Sequence, residues 1–292
     1  MIDYRIAGIR LRLELPCPLE EKPAFLPFRC HDDGKPDVTL TVTAVDDLTE
    51  SDAPLLYETS DVHIRREACG LVRYFMDHEV HAPYAMLQEL SPDHLHLFYG
   101  RRWQDRFRYP GNFFQRMGFE NRLVQHGAFM LHASYIETPH GAILFTGPSG
   151  IGKSTQAALW EQHADAALVN GDRVALRCDD DTVTAWGLPY AGSSACYRNI
   201  TLPVVAIVRL EQAPENALTR LSPLAAFHYL YEQSTVNVWD AYAVERATAL
   251  IGAVCERVPV YHYACTKEAD AVALLRAALF EESRKEEMSC GM

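Results

Sequence analysis

Basic side chains are in short supply in this chain of 292 residues. Against 39 Asp and Glu there are 27 Lys and Arg, which gives a formal net charge of −12, and no segment forms a basic stripe. Nucleic-acid backbones are bound mainly by clustered Lys and Arg. The composition therefore argues against a nucleic-acid partner.

Long apolar runs are missing as well. The N-terminus, MIDYRIAGIRLRLELPC, carries charges among its apolar residues and so lacks the uninterrupted hydrophobic region of a signal peptide. No later run approaches the ~20 apolar residues of a membrane span. We therefore expect a cytoplasmic protein without membrane association.

The chain has no C-x-x-C pair and no Cys/His cluster at zinc spacing. Its eight cysteines stand singly, at positions 17, 30, 69, 178, 196, 255, 265 and 290. We expect reduced thiols that mostly fill core space, because unpaired cysteine is among the most buried residue types.

What the chain does contain changes in character along its length. Residues 1–126 alternate apolar and polar positions in short runs such as DVTLTVTAV and DHLHLFYG, a pattern typical of antiparallel strands with one wet face. The sequence predicts a smaller β-rich domain here, with an uncertain role in acceptor or partner binding. Residues 127–281 combine fuller apolar runs, such as GAILFTG and LPVVAIVRL, with helical segments, which predicts an α/β nucleotide-binding domain. The charged end, 282–292, is expected to be disordered.

A phosphate-binding motif lies inside the second region. GPSGIGKS satisfies G-x-x-x-x-G-K-[ST] and stands between the apolar run GAILF and a segment without Gly or Pro, STQAALWEQHA. Its glycines allow backbone N–H groups to form an anion-binding nest at the positive end of a helix. Lys153 would reach the β and γ phosphates, and Ser154 would bind Mg²⁺. The residues predicted to contact a nucleotide are Gly147, Pro148, Ser149, Gly150, Ile151, Gly152, Lys153, Ser154 and Thr155.

Phosphoryl transfer also needs a group that handles the nucleophile and a second metal contact. ALVNGDRVAL ends its apolar run at Asp172, and an acid at the carboxyl end of a strand lies in the ligand-binding crevice of an α/β sheet. FMLHASYIETPHGAILF predicts a hairpin that leads into the loop, with His132 in its first apolar run. Arg198, in GLPYAGSSACYRN, is a candidate cation for developing phosphoryl charge. An ordinary surface connection is the alternative for that segment.

From about His126 to Leu279 the chain resembles the catalytic domain of HPr kinase/phosphorylase, a family of bacterial serine kinases whose fold is related to the nucleotide core of phosphoenolpyruvate carboxykinase. LHASYIE, GPSGIGKS and NGDR follow in that family's order, and SGIG is more characteristic than the bare loop pattern. The resemblance implies an HPr-kinase-like P-loop domain that uses ATP and Mg²⁺, with a possible homo-oligomer. It also implies roles for the site residues: Asp172 accepts the proton and helps Ser154 with the metal, His132 organises Asp172, and Lys153 binds phosphate.

Two features depart from that family. Its members carry two adjacent acids before the Arg, whereas this chain has Gly171 followed by Asp172, and the N-terminal region has no obvious counterpart. The expected activity is therefore transfer of the γ-phosphoryl group to a serine or other hydroxyl of a peptide, protein or small molecule. The alternatives are a non-catalytic nucleotide-sensing or partner-binding protein, and carboxykinase-type chemistry on an oxaloacetate-like acid.

Overall fold

The computed structural model describes residues 1–280 and shows a mixed α/β chain with two sheets. Two compact units are formed among these residues, the first by Met1–Arg122 with Val238–Asp240 and the second by Leu123–Asn237 with 241–280. The predicted disordered tail, 282–292, lies outside the described residues. The assignment of acceptor binding to the first region and nucleotide binding to the second stays a prediction.

The first unit is built on an eight-stranded sheet with the order β1-β2-β3-β8-β7-β6-β5-β4. The pairs β2–β3 and β3–β8 are parallel, and the others are antiparallel. The strands are β1 Ile2–Ile6, β2 Ile9–Glu14, β3 Val38–Val45, β4 Leu55–Glu58, β5 Val62–Glu67, β6 Gly70–Asp77, β7 Ala82–Ser91 and β8 His94–Gly100. Two 3₁₀ helices, Pro23–Phe28 and Arg101–Phe107, and the helix α1, Pro110–Met117, complete the unit.

Alternation of side chains explains the strands of this sheet. In β3 the apolar Val38, Leu40 and Val42 are buried, while the threonines between them are half-buried. Successive side chains of a strand point to opposite faces, so this pattern places one apolar face in a core. The predicted half-buried strand is thus confirmed for β3, but the predicted antiparallel pairing is wrong here, because β3 is parallel to both β2 and β8. Alternation reports which face is buried and does not report the direction of the neighbouring strands.

The second unit begins at Leu123, within the helix α2, Phe119–Gln125. Its strands are β9 Ala128–Thr138, β10 Gly141–Thr146, β11 Ala167–Asn170, β12 Arg173–Asp179, β13 Thr182–Gly187, β14 Thr201–Gln212, β15 Ala217–Arg220, β16 Ser234–Thr235 and β17 Val260–Cys265. The long helices are α3 Lys153–His163, α4 Pro223–Gln233, α5 Ala241–Arg257 and α6 Ala269–Phe280.

Strand β10 lies between β9, to which it is antiparallel, and β14, to which it is parallel. Beyond β14 follow the parallel β17 and the antiparallel β15. β12 and β13 connect the first part of β9 to the start of β14 through antiparallel pairs. The predicted hairpin before the loop is thus confirmed as β9–β10.

Both faces of this second sheet are covered by helices. Leu144 and Ile207 pack in one core with α4 and α5, whereas Phe145 and Val208 pack in another core with α3 and α6. Every residue of β10 is buried, which is why its sequence reads as an unbroken apolar run. Within residues 1–280, no helix is long and apolar enough to cross a membrane.

Candidate active site

The candidate site is located at the end of β10. Thr146, its last residue, pairs with Ala133 of β9 on one side and with Arg209 of β14 on the other. The glycine-rich loop, residues 147–152, starts immediately afterwards and leads into α3. His132, which precedes Ala133, therefore lies on one side of the loop and Arg209 on the other.

The backbone of the loop suits an anion. Gly150 and Gly152 adopt positive φ angles of 81° and 112°, a conformation that glycine takes without steric cost. Gln156 makes the first backbone hydrogen bond of α3, to Gly152 O at 2.9 Å. The N–H groups of the first helical turn have no intrahelical acceptor, and they lie at the positive end of the helix dipole, so the loop could hold nucleotide phosphates.

Lys153 is the first residue of α3, and its ammonium group is held inside the loop. Its Nζ donates to Gly147 O at 2.8 Å and Pro148 O at 3.1 Å, and it lies 2.9 Å from His132 Nε2. These partners account for the three N–H donors of an ammonium group. The side chain is buried, and burial lowers the pKa of Lys153 while the charge of Asp172 opposes that shift.

His132 joins Lys153 to Asp172. Its Nδ1 is 3.3 Å from Asp172 Oδ1. Burial lowers the pKa of His132, and the Lys153 ammonium lowers it further, which favours the neutral ring. A neutral imidazole has one donor and one acceptor. The contacts assign the donor to Nδ1, facing the carboxylate, and the acceptor to Nε2, facing the ammonium.

The position of Asp172 is set by the turn between β11 and β12. Asn170 Oδ1 accepts hydrogen bonds from the backbone N–H groups of Asp172 and Arg173, at 2.9 and 3.0 Å. The Asn170 side chain is itself buried and donates to Leu188 O at 2.7 Å. The second carboxylate oxygen, Asp172 Oδ2, is 3.4 Å from Arg173 Nε. The carboxylate therefore lies between an imidazole and a guanidinium.

Gly171 has no space for a side chain. A Cβ at this position would lie 2.5 Å from both Cβ and Oγ of Ser194, far inside ordinary contact distance. Ser194 therefore occupies the space that a side chain at position 171 would need.

Arg198 is not brought to this cluster. Its Nη1 forms an ion pair with Glu137 Oε2 at 2.8 Å. Glu137 lies five residues beyond His132 along β9, or about 17 Å at the usual rise of a strand. The structure thus unites Lys153, His132 and Asp172, and it places Arg198 elsewhere.

Two residues of the site were missed by the reasoning from sequence. Asn170 had a local signal, because Asn-Gly marks a turn in which the Asn side chain bonds to the backbone two residues later.

Arg209 had a weaker signal in the sequence, as a lone charge near the end of the apolar run LPVVAIVRL. Its guanidinium lies 4.7 Å from the centre of the Tyr229 ring, and it lines a cavity of about 490 Å³ beside the loop with Pro148 and Ile151.

The predicted metal ligands were Ser154 and Asp172. Ser154 is exposed in the first turn of α3, and Asp172 offers a carboxylate. Hydroxyl and carboxylate oxygens are hard donors of the kind that Mg²⁺ takes together with nucleotide phosphates. No cluster of three or more His, Cys, Asp or Glu that could hold a metal without a substrate occurs within residues 1–280. The donor set therefore fits a magnesium ion that arrives with a nucleotide.

No family model matches the chain, and no curated protein matches its sequence. Among solved structures, the chain is similar to the HPr(Ser) kinase/phosphatase from Coxiella burnetii, with 13% identity and a TM-score of 0.33. The similarity covers 56% of this chain and 94% of that one. At this level the relationship is distant and carries no argument about activity, so the functional proposal below depends on the residues of the site.

Proposed function

We propose that the chain is an ATP-dependent kinase of the HPr-kinase-like type. It would transfer the γ-phosphoryl group of ATP to a serine or other hydroxyl of a peptide, a protein or a small molecule. The observation that carries this proposal is the continuous contact from Lys153 through His132 to Asp172 at the end of the glycine-rich loop. A cation that binds phosphate and a carboxylate that accepts a proton are the two side chains this reaction needs.

Asp172 would act as the base. The acceptor oxygen attacks the γ-phosphorus, and its proton passes to a carboxylate oxygen of Asp172. The bond between the γ-phosphorus and the β,γ-bridging oxygen breaks, and ADP leaves. Asn170 and His132 keep the carboxylate in place through the hydrogen bonds of the turn and the contact with Nδ1. A fixed base near the hydroxyl lowers the barrier because less reorganisation is needed during transfer.

Lys153 would bind the β and γ phosphates. Since its three donors have acceptors within the chain, nucleotide binding must exchange at least one of them for a phosphate oxygen. His132 is the acceptor most readily released, because its ring belongs to β9, whereas the other two acceptors are carbonyl groups of the loop that carries the lysine. The carbonyl acceptors Gly147 and Pro148 can keep the lysine stem directed along the loop.

Ser154 and Asp172 would hold the magnesium ion that accompanies ATP. When bound, this ion supplies positive charge against the phosphate oxygens. The first turn of α3 supplies further positive potential through its free N–H groups.

The direct test is incubation of the purified chain with Mg²⁺ and γ-labelled ATP in the presence of peptides, carrier proteins and small molecules that carry hydroxyl groups. The proposal predicts transfer of label to at least one acceptor, and loss of that transfer in Asp172→Asn. Tight ATP binding without turnover, unchanged by Asp172→Asn, would contradict it and favour a nucleotide-sensing protein. The experiment includes the nucleotide-sensing alternative because the chain has Gly171 where a second acid would be expected.

A further inference from the structure

The segment between β13 and β14 lies directly against Asp172 and carries two adjacent serines. Within it, a short 3₁₀ helix, Gly192–Ser194, follows the buried Ala191. The reaction proposed above assigns no role to these serines. Gly192, the residue before them, lies against the carboxylate that would act as base, and this makes the serines candidate substrates.

Gly192 permits the close approach. It adopts φ +52°, and a Cβ on it would lie 3.0 Å from Asp172 Cβ and 3.3 Å from Asp172 Oδ1. Ala195, three residues later, also has a positive φ, 49°. Two left-handed residues therefore bracket Ser193 and Ser194, and they form a tight turn whose first residue touches Asp172.

The two serines differ in what their hydroxyl groups do. Ser194 Oγ donates to Ala191 O at 2.7 Å, and the side chain fills the space above Gly171. It therefore anchors the turn. Ser193 is exposed, and its hydroxyl makes no hydrogen bond to any residue in the described part of the chain.

We propose that Ser193 is an intramolecular phosphoryl acceptor, so that the chain phosphorylates itself at this residue. The inference rests on the proposed function. Asp172 connects the glycine-rich loop to this turn, because its carboxylate contacts His132, which bonds to Lys153, and also lies against Gly192. The His132 ring and the Asp172 carboxylate are therefore the two groups between the phosphate-binding lysine and the turn that carries the serine.

The chemical step balances without another reactant. Ser193 Oγ forms a bond to the γ-phosphorus of ATP, its proton passes to Asp172, and the bond to the β,γ-bridging oxygen breaks to release ADP. The product is phosphoserine. The acceptor, Ser193, and the base, Asp172, lie in two adjacent turns of the same chain. The reaction therefore avoids the entropic cost of bringing in a separate acceptor.

The test is incubation of the full chain with Mg²⁺ and ATP, followed by mass spectrometry of the intact protein and of its peptides. We expect one phosphoryl group on the peptide that contains Ser193, with a first-order rate constant that does not change on dilution. Ser193→Ala should lack the modification and Ser193→Thr should retain it. Ser60→Ala is the control, because Ser60 is an exposed serine between β4 and β5, and modification of Ser193 should persist in this variant.

The possible outcomes distinguish failure of the Ser193 inference from failure of the proposed kinase function. An unmodified Ser193 in a sample that hydrolyses ATP or phosphorylates an added acceptor overturns the inference and leaves the function standing. An observed first-order rate constant that rises in proportion to protein concentration also overturns it, because the transfer would then be between molecules. Failure of the wild-type chain to bind or turn over ATP overturns both. ATP binding by the Ser193→Ala variant is measured in parallel. Unchanged affinity shows that the variant lacks the modification because the acceptor is missing, and not because the nucleotide site is lost.

Discussion

At the scale of single residues, the site depends on how Asp172 is held. Its backbone is fixed by the buried Asn170, and its two carboxylate oxygens face His132 and Arg173. Arg173 is itself held by Thr235 Oγ1, which accepts from its Nη1 at 2.8 Å. The carboxylate therefore has a defined direction before any ligand binds.

Replacement of Asp172 by Asn keeps the size of the side chain and removes the base. We expect phosphoryl transfer to fall by about 10²- to 10⁴-fold, the range attributed to general-base catalysis, while ATP affinity changes by less than about tenfold. Asp181→Asn is the matched control, because Asp181 lies exposed at the turn between β12 and β13. Equal rates for both variants would show that Asp172 takes no part in the transfer.

His132 should make stability depend on pH. Burial and Lys153 lower its pKa in the folded chain, whereas an unfolded histidine titrates near about 6.5. Between the lowered pKa and about 6.5 the unfolded chain binds more protons, so stability rises with pH across this window and falls as the pH drops through it.

The measurement for this effect is the free energy of unfolding in urea for wild type and His132→Gln at a series of pH values. The difference between the two removes the contributions of other titrating groups. We expect the stability advantage of the wild type to shrink as the pH falls below about 6.5. Parallel pH profiles would contradict a depressed histidine pKa.

Arg209 and Arg198 provide a matched pair of arginines. Arg209 lines the cavity beside the loop and contacts no carboxylate in the described part of the chain, whereas Arg198 is paired with Glu137. A charge-assisted hydrogen bond to a phosphate contributes roughly 1.5–3 kcal/mol. We expect Arg209→Gln to weaken ATP binding or slow transfer by about tenfold or more, and Arg198→Gln to change neither. The reverse order would restore the role that the sequence suggested for Arg198.

At the scale of elements, sequence reasoning succeeded where the signal was local. The β9–β10 hairpin, the apolar strand β10 and the helix after the glycine-rich loop were all predicted from runs of neighbouring residues. Ser222 followed by Pro223 is a local signal of the same kind for a helix start, and the Ser222 side chain accepts from Ala225 N at the start of α4.

What could not be predicted depends on pairing between distant segments. Arg209 reaches the loop only because β14 pairs with β10, more than 50 residues earlier in the sequence. Ser194 fills the space above Gly171 because the segment after β13 folds back over the turn after β11. The same segment pairs Arg198 with Glu137, a contact that the sequence did not indicate, and the role suggested for Arg198 stays a prediction. Such contacts follow from the tertiary fold, and the spacing of apolar residues in the sequence does not indicate them.

The segment after β13 also depends on one close backbone contact. A Cβ on Gly187 would lie 1.9 Å from Arg198 O, a backbone atom that cannot rotate away. Gly187→Ala should therefore destabilise the chain by about 1–3 kcal/mol, the usual range for overpacking. Gly252, within α5, has nothing within 4 Å of such a Cβ. Gly252→Ala should stabilise it by about 0.5–1 kcal/mol, and thermal unfolding of both variants checks the contrast. If Gly252→Ala destabilised the chain as much as Gly187→Ala, the close contact at Gly187 would not be the cause.

At the scale of the whole molecule, the chain carries a net charge of −12, yet the proposed ligand is an anion. Attraction must therefore come from local groups. These are the N–H groups of the loop, the first turn of α3 and the Lys153 ammonium. All of them belong to the second of the two compact units. The charge of the complete chain thus gives no guide to this site, and one lysine should dominate affinity.

The most direct test of the central claim is calorimetric titration of Mg²⁺-ATP into the wild type and into Lys153→Ala. We predict saturable binding at one site in the wild type, and affinity at least about tenfold lower in the variant, since loss of a charge-assisted hydrogen bond costs about 1.5–3 kcal/mol. No binding to the wild type, or equal affinity in the two proteins, would contradict the assignment of the glycine-rich loop as a nucleotide site.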